Sequence, residues 1–301
     1  INSVYKGFFQ TKNKYIRLIA YYIFINILFL YPGGHTGMNL PSFMLWTSVA
    51  ICQTRSIRHL TDEDVEYIII DGGSTDGTLD IVKKYENYIA YWISEPDSGI
   101  YNAMNKGVKY ATGLYCNFMN AGDFFINEKV LENIFTSNRN EDLISGIAQI
   151  PQGFWYPPEE KNISLFYFFK KGFCHQATFI KRQLMEEYPY DEDLKISADL
   201  LFFIMVSVFR NGTSYTRINE IVCFYDTNGI SSNMEKADEE RCRILKSVVP
   251  ARIFKDYQLL YLYDTPLLKM LLPIINNSFF VKSLSFLRFL KKKIKKNIEW
   301  K

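Results

Sequence analysis

The sequence predicts an α/β protein with a mostly parallel sheet flanked by helices and a helical C-terminal extension. Three observations lead there. Short apolar runs alternate with stretches of helical spacing between residues 62 and 230. Those runs are apolar almost throughout, as strands covered on both faces are. The turns that join them are rich in Gly, Ser and Asp. At 301 residues the chain has room for one large domain with appendages or for two modest ones.

Residues 1–61 read as a divergent N-terminal segment, aromatic and irregular. It holds the apolar run Leu18 to Tyr31, broken only by Asn26. That run falls short of the roughly 20 residues a bilayer-spanning helix needs, so a buried or interfacial helix is the expectation. Lys6, Lys12, Lys14 and Arg17 precede it, and a spanning helix would leave the N-terminus in the cytoplasm. No small-residue cleavage site follows the run, which argues against a signal peptide. Met44 to Ile51 has strand character.

From Asp62 the rhythm is regular. Val65 to Ile70 reads as a strand, interrupted by Glu66 and ending at Asp71. Gly72 to Gly77 form a turn, and Thr78 to Tyr85 has helical spacing at Ile81, Val82 and Tyr85. A second strand, Ile89 to Ile93, leads into the loop Ser94 to Gly99. The next helix has an inner face of Ile100, Ala103, Met104, Gly107, Val108 and Ala111. Its other faces carry Asn102, Asn105, Lys106 and Lys109. Leu114 to Met119 is a third strand, ending at Asn120-Ala121-Gly122-Asp123. Strand, loop, helix, strand in this order argues parallel pairing with covering helices.

Composition narrows the function classes. An apolar fraction of 48% excludes wholesale disorder. A net charge of +3 does not argue for nucleic acid, and none is expected as a partner. The five cysteines stand singly, which reads as reduced thiols in a cytosolic compartment and not as a disulfide framework or zinc site. The 24 Phe and 21 Tyr suit an aromatic core, with a sugar-stacking cleft or a membrane-adjacent surface as the rivals. Trp155 and Tyr156 are candidates for stacking on sugar; Trp92 reads as core.

In open α/β sheets ligands collect beyond the carboxyl ends of the strands. Asp71, Glu95, Asp97 and Asp123 all fall there. Four carboxylates at one rim repel unless something positive lies between them, and Mg²⁺ or Mn²⁺ carrying a diphosphate would supply it. The competing reading is that of ordinary turn-forming acids.

The runs EYIIIDGGSTDGT (Glu66 to Thr78), SEPDSGIYNAMNKGVKYATG (Ser94 to Gly113) and FMNAGDFF (Phe118 to Phe125) closely resemble the family 2 glycosyltransferases, above all the bacterial members that build surface polysaccharides. The resemblance continues through CHQATF (Cys174 to Phe179) and KISADLLFF (Lys195 to Phe203) and fades near Ser232. It implies a GT-A-like fold and inverting transfer of one sugar from a nucleotide-sugar, UDP-linked, to a glycan or lipid-linked acceptor. Asp71, Ser74, Asp76, Asp97, Asn105 and Lys106 would bind the nucleotide-sugar, and Asp123 would hold Mg²⁺ or Mn²⁺. Asp199 falls where the family keeps its general base; its rival role is to stabilise the start of the apolar helix Leu200 to Phe209. His175 and Gln176 would touch the acceptor or diphosphate, or serve structure alone.

Two departures qualify the match. Asn120-Ala121-Gly122-Asp123 is poorer in acids than the family's metal motif. Family members also open with a strand carrying a Thr-Val-x-Tyr-Asn type motif, and residues 36–48 hold none. Met44 to Ile51 stands too close to Val65 for the usual intervening helix. Either the core starts differently, or its first βα unit is lost or scrambled.

Residues 231–301 read as a helical, basic extension after the glycosyltransferase core of 62–230. Eight Lys or Arg against one acid lie between Val281 and Lys301. Apolar stretches ending in a Lys cluster suit an anionic membrane surface, at about 1 kcal/mol per Lys. The expected location is cytoplasmic, peripheral on the inner face of the plasma membrane. A catalytically impaired remnant acting as a membrane-associated binding protein is the alternative. A sugar-nucleotidyltransferase is disfavoured, because Gly33 to Gly37 lacks a following basic residue.

Overall fold

A computed structural model describes residues 45–51, 64–229 and 234–263. The apolar run Leu18 to Tyr31, the Lys cluster and the apolar stretches before it lie outside the described residues. By internal contacts the chain forms two compact units, Ile1–Ile244 and Leu245–Lys301.

In chain order the described elements are strands β1 (Leu45–Ile51) and β2 (Val65–Asp71), helix α1 (Thr78–Lys84), β3 (Tyr91–Ser94), α2 (Ile100–Tyr110), β4 (Tyr115–Met119), β5 (Phe124–Phe125) and α3 (Val130–Phe135). Then follow β6 (Leu143–Ile150), β7 (Gly153–Trp155), α4 (Leu165–Lys170), β8 (Thr178–Lys181), α5 (Arg182–Glu187), α6 (Ala198–Ile204), β9 (Tyr215–Phe224), α7 (Met234–Val248) and α8 (Ala251–Tyr263). The strands make one sheet in the order β3-β2-β1-β4-β8-β6-β9-β5, with β7 paired to β6.

The α/β class stands, but the sheet is more mixed than the sequence predicts. β2 and β3 pair in parallel, as do β6 and β9. The remaining pairs are antiparallel. β1 occupies the slot between β2 and β4 and runs against both: Leu45 pairs with Asp71 and Ile51 with Val65. Residues 52–64 separate β1 from β2, close to the minimum of about a dozen that a parallel crossover requires. β2, β3 and β4 still share one direction, so their carboxyl ends meet at one edge.

Local sequence explains the elements that set this edge. In β4 every residue is buried, as befits a strand covered on both faces. Its polar member Asn117 donates from Nδ2 to the carbonyls of Gln176 and Thr178, at 2.9 and 3.1 Å, which fastens the turn before β8 to β4. Glu66, the polar interruption of β2, also has a purpose. Its Oε2 accepts the amides of Thr112 and Gly113 at 2.8 and 3.3 Å, satisfying N–H groups where the chain leaves α2. α6 widens over Met205–Phe209 into a π-turn, with the Arg210 amide bonded to the Met205 carbonyl at 2.8 Å.

Part of the aromatic supply goes into the core, while Tyr110, Phe154, Tyr156, Phe209 and Tyr261 are exposed. Tyr115, Phe118, Phe135, Phe168, Phe179 and Phe203 are fully buried, each worth about 1.5–3 kcal/mol of hydrophobic stabilisation. Phe179 meets Phe135 edge-on at 5.2 Å and stacks over Phe125 at 6.4 Å. β6 lies close to β9 because Gly146 has no side chain: a Cβ there would stand 2.4 Å from Val222 Cγ2. Among the described residues, no helix is long and apolar enough to cross a membrane.

Candidate active site

The carboxyl ends of β2, β3 and β4 deliver two linked groups of side chains. The first is built on Asp71, fully buried at the end of β2. Its Oδ2 accepts from the Gly73 amide (3.1 Å), the Ser74 amide (2.9 Å) and the Ser94 hydroxyl (2.6 Å); its Oδ1 accepts from the Ser74 hydroxyl. These bonds tie the loop after β2 to the end of β3. Asp97 lies beside it, its Oδ1 accepting the Gly99 amide at 2.9 Å while its Oδ2 is buried with no protein partner. Burial raises the Asp97 carboxyl above the ordinary range, and the charge of Asp71 adds to this. The Gly99 hydrogen bond and Lys106 pull the other way. Lys106 itself pairs with Glu95 at 2.8 Å.

Gly72 is what lets Asp97 approach. A Cβ on Gly72 would stand 2.7 Å from Asp97 Oδ2, closer than real side chains come. If this rim takes the UDP that the family resemblance implies, Gly72→Ala should push Asp97 aside and weaken that binding about tenfold or more, equivalent to about 1.4 kcal/mol. The loop is half-exposed, so the melting temperature should hardly move. Calorimetric titration beside a melting curve checks both halves.

The second group joins β4, the turn His175–Ala177 and α6. Asp123 is 1% exposed. Its Oδ2 accepts from the Asn120 amide (3.1 Å) and Gln176 Nε2 (2.9 Å), and its Oδ1 from the Asp226 amide (2.9 Å). Burial pushes its carboxyl up to about 6 against these hydrogen bonds. Asn120 Nδ2 lies 3.3 Å from His175 Nε2, and His175 Nδ1 lies 3.1 Å from Asp199 Oδ2. Burial alone would depress His175, but the hydrogen bond and charge of Asp199 raise it above its ordinary value. Asp199 Oδ1 faces the Tyr101 hydroxyl at 2.9 Å, and that hydroxyl also reaches the Ile196 carbonyl at 2.7 Å. Tyr101 follows Asp97 by four residues, so both groups lie along one rim.

Not every residue singled out from sequence falls in these groups. Asp76 is exposed, and its Oδ1 accepts the Thr78 amide (3.1 Å) and hydroxyl (2.6 Å), shaping the start of α1. Asn105, placed by spacing on an outer face of α2, is buried. Its Nδ2 donates to the Tyr190 carbonyl and Glu192, and its Oδ1 accepts the Tyr190 amide. A buried amide must satisfy both its ends, and here the chain at 190–192 does so. Tyr101, Asn120 and Asp226 carry no individual role in the sequence reading. Tyr101 and Asn120 lie inside the motif runs; for Asp226 the only signal is an acid just past the apolar end of β9.

A divalent cation does not fit Asp123 as arranged. Both carboxylate oxygens already accept from protein donors, and the group has almost no exposure. Among the described residues no cluster of three or more His, Cys, Asp or Glu is disposed to hold a metal. The charge of Asp123 is met by N–H donors where the sequence predicts Mg²⁺ or Mn²⁺.

A sheet that gathers its acids at the carboxyl ends of βα units is the architecture of the nucleotide-using α/β enzymes. The profile described as Glycosyl transferase family 2 matches residues 50–188. A PGL/p-HBAD biosynthesis glycosyltransferase of Mycobacterium bovis is 33% identical over 190 residues, covering 59% of this chain and 72% of that protein. An uncharacterised glycosyltransferase of Mycobacterium tuberculosis is 29% identical over 183 residues, covering 57% and 67%. Among solved structures, S. aureus TarS 1-349 in complex with UDP aligns with a TM-score of 0.45 at 19% identity, over 59% of this chain and 54% of that one. The chain belongs to glycosyltransferase family 2, and it is a glycosyltransferase of GT-A-like fold.

Proposed function

We propose that the protein transfers one sugar, with inversion, from a UDP-sugar to a glycan or lipid-linked acceptor in surface glycan synthesis. The observation that carries this reading is Asp199, a half-buried carboxylate held between His175 and Tyr101 on the same rim as Asp71 and Asp97. Asp97, with one oxygen unpartnered, suits a donor group of the nucleotide. Asp71 and Ser74 shape the loop around it, and Lys106 adds positive charge beside it. In the reaction the acceptor oxygen gives its proton to Asp199 and forms the new bond to the anomeric carbon. The bond from that carbon to the diphosphate oxygen breaks, and its electron pair leaves with the nucleoside diphosphate. His175 orients the carboxylate through its Nδ1. Gln176 steadies Asp123 beneath.

The relative named for PGL/p-HBAD biosynthesis supports a glycolipid or glycan acceptor. A lipid-linked acceptor would be met at the inner face of the plasma membrane, where the basic tail is suited to dock. Titration of the full chain with UDP, followed by UDP release from UDP-glucose, UDP-galactose and UDP-N-acetylglucosamine, tests the reading. Binding with turnover of at least one donor is expected. The three protein donors on Asp123 and the antiparallel β1 favour a second reading, a binding protein without turnover. UDP binding with no release from any donor would select it.

A further inference from the structure

The segment that presents Asp199 is gripped from α7, more than 40 residues further along the chain. The amides of Lys195, Ile196 and Ser197 all donate to one carboxylate, that of Glu240 on α7, at 2.9, 2.7 and 2.7 Å. Glu240 is 6% exposed, and its Oε1 also meets Arg243 at 3.1 Å. The Ser197 side chain makes no capping bond at the start of α6, so the grip on this entry comes from another element. Successive amides around a carboxylate form a cradle of charge-assisted bonds, among the stronger hydrogen bonds a protein makes.

What the cradle holds bears on the site at two points. The carbonyl of Ile196 and Oδ1 of Asp199 share the Tyr101 hydroxyl. Lys195 Nζ reaches the carbonyl of Ser98, next to Asp97, at 3.1 Å. Only Ala198 separates the last gripped amide, that of Ser197, from Asp199. A backbone shift there would move the carboxylate away from His175 and Tyr101 together.

We propose that Glu240 is a positioning residue for sugar transfer, fixing the 195–197 backbone so that Asp199 stands against His175 and Tyr101. The proposal rests on the reading of Asp199 as the base. It gives α7 a part in the reaction without any contact between the helix and the reacting groups.

The test uses the full chain, with UDP release from the UDP-sugar that wild type turns over, UDP titration and amide hydrogen exchange. Glu240→Ala is expected to lower kcat by roughly 100-fold, the scale of a misplacement of about 1 Å. UDP affinity should stay within about threefold, since Asp71 and Asp97 keep their bonds. Glu240→Asp should recover part of the loss, and Glu239→Gln, exposed on the same helix, should match wild type. Exchange protection at 195–197 should vanish in Glu240→Ala. Unchanged kcat, or kcat and UDP affinity falling by the same factor, overturns the positioning role. Retained protection at 195–197 overturns the grip itself. Should wild type release no UDP from any donor, the transferase reading fails and exchange still decides whether Glu240 holds the segment.

Discussion

Asp199→Asn should cut UDP-sugar turnover by roughly 10²–10⁴-fold, the usual contribution of a general base, and leave UDP binding nearly unchanged. The asymmetry follows from the site. Asp199 belongs to the group with His175 and Tyr101, while the nucleotide is assigned to the Asp71 and Asp97 loops. An amide fills the same volume and still accepts from Tyr101 through its oxygen. It offers His175 Nδ1 a donor in place of an acceptor, which that nitrogen can take up as the neutral tautomer protonated on Nε2, once the Asn120 amide turns its oxygen toward Nε2. The fold should therefore survive, and a melting curve within a few degrees of wild type would confirm it. Only proton acceptance is lost. Steady-state kinetics beside calorimetric titration gives both numbers, and wild-type kcat in this variant would remove Asp199 from the mechanism.

Much of the rim was legible because it is local. Asp71, Ser74, Asp97 and Asp123 fall at the ends of apolar strand runs, and the period of those runs places strand ends well. Helix faces were read less well. Spacing put Asn105 outside, yet it is buried because residues 190–192 fold over α2, a contact 85 residues away in sequence. Partners reached across such distances leave no local trace: Tyr101 with Asp199, Gln176 with Asp123, Glu240 with 195–197. The direction of β1 was hidden for a related reason. A strand pattern has period two whichever way the chain runs, and only the short connection to β2 hints at reversal. A cation at the rim was inferred from its four acids, and its placement at Asp123 from the family resemblance. The structure balances Asp123 with backbone and amide N–H groups, which no charge count reveals.

That balance makes the loss of Asp123 costly to the fold. Asp123→Ala would leave the Asn120 amide, Gln176 Nε2 and the Asp226 amide without their acceptor. At about 1–3 kcal/mol for each buried donor, the total is a large part of a typical stability of about 5–15 kcal/mol. Asp123→Asn is gentler and isolates the charge. The folded carboxyl, at about 6, lies above the ordinary value of 3.8, so the folded state holds the proton more tightly than the unfolded chain. Stability from this group is therefore fully present below pH 3.8 and is lost as pH rises through about 6. Two units correspond to about 3 kcal/mol. The stability of wild type relative to Asp123→Asn should fall by that order between pH 4 and 7, measured by urea unfolding. A difference that grew with pH would show that the hydrogen bonds outweigh burial. The same series answers the metal question without any activity assay. A cation bound at Asp123 would favour the ionised carboxylate, so millimolar Mn²⁺ would flatten the slope; the burial of Asp123 and its three protein donors lead us to expect the slope to persist.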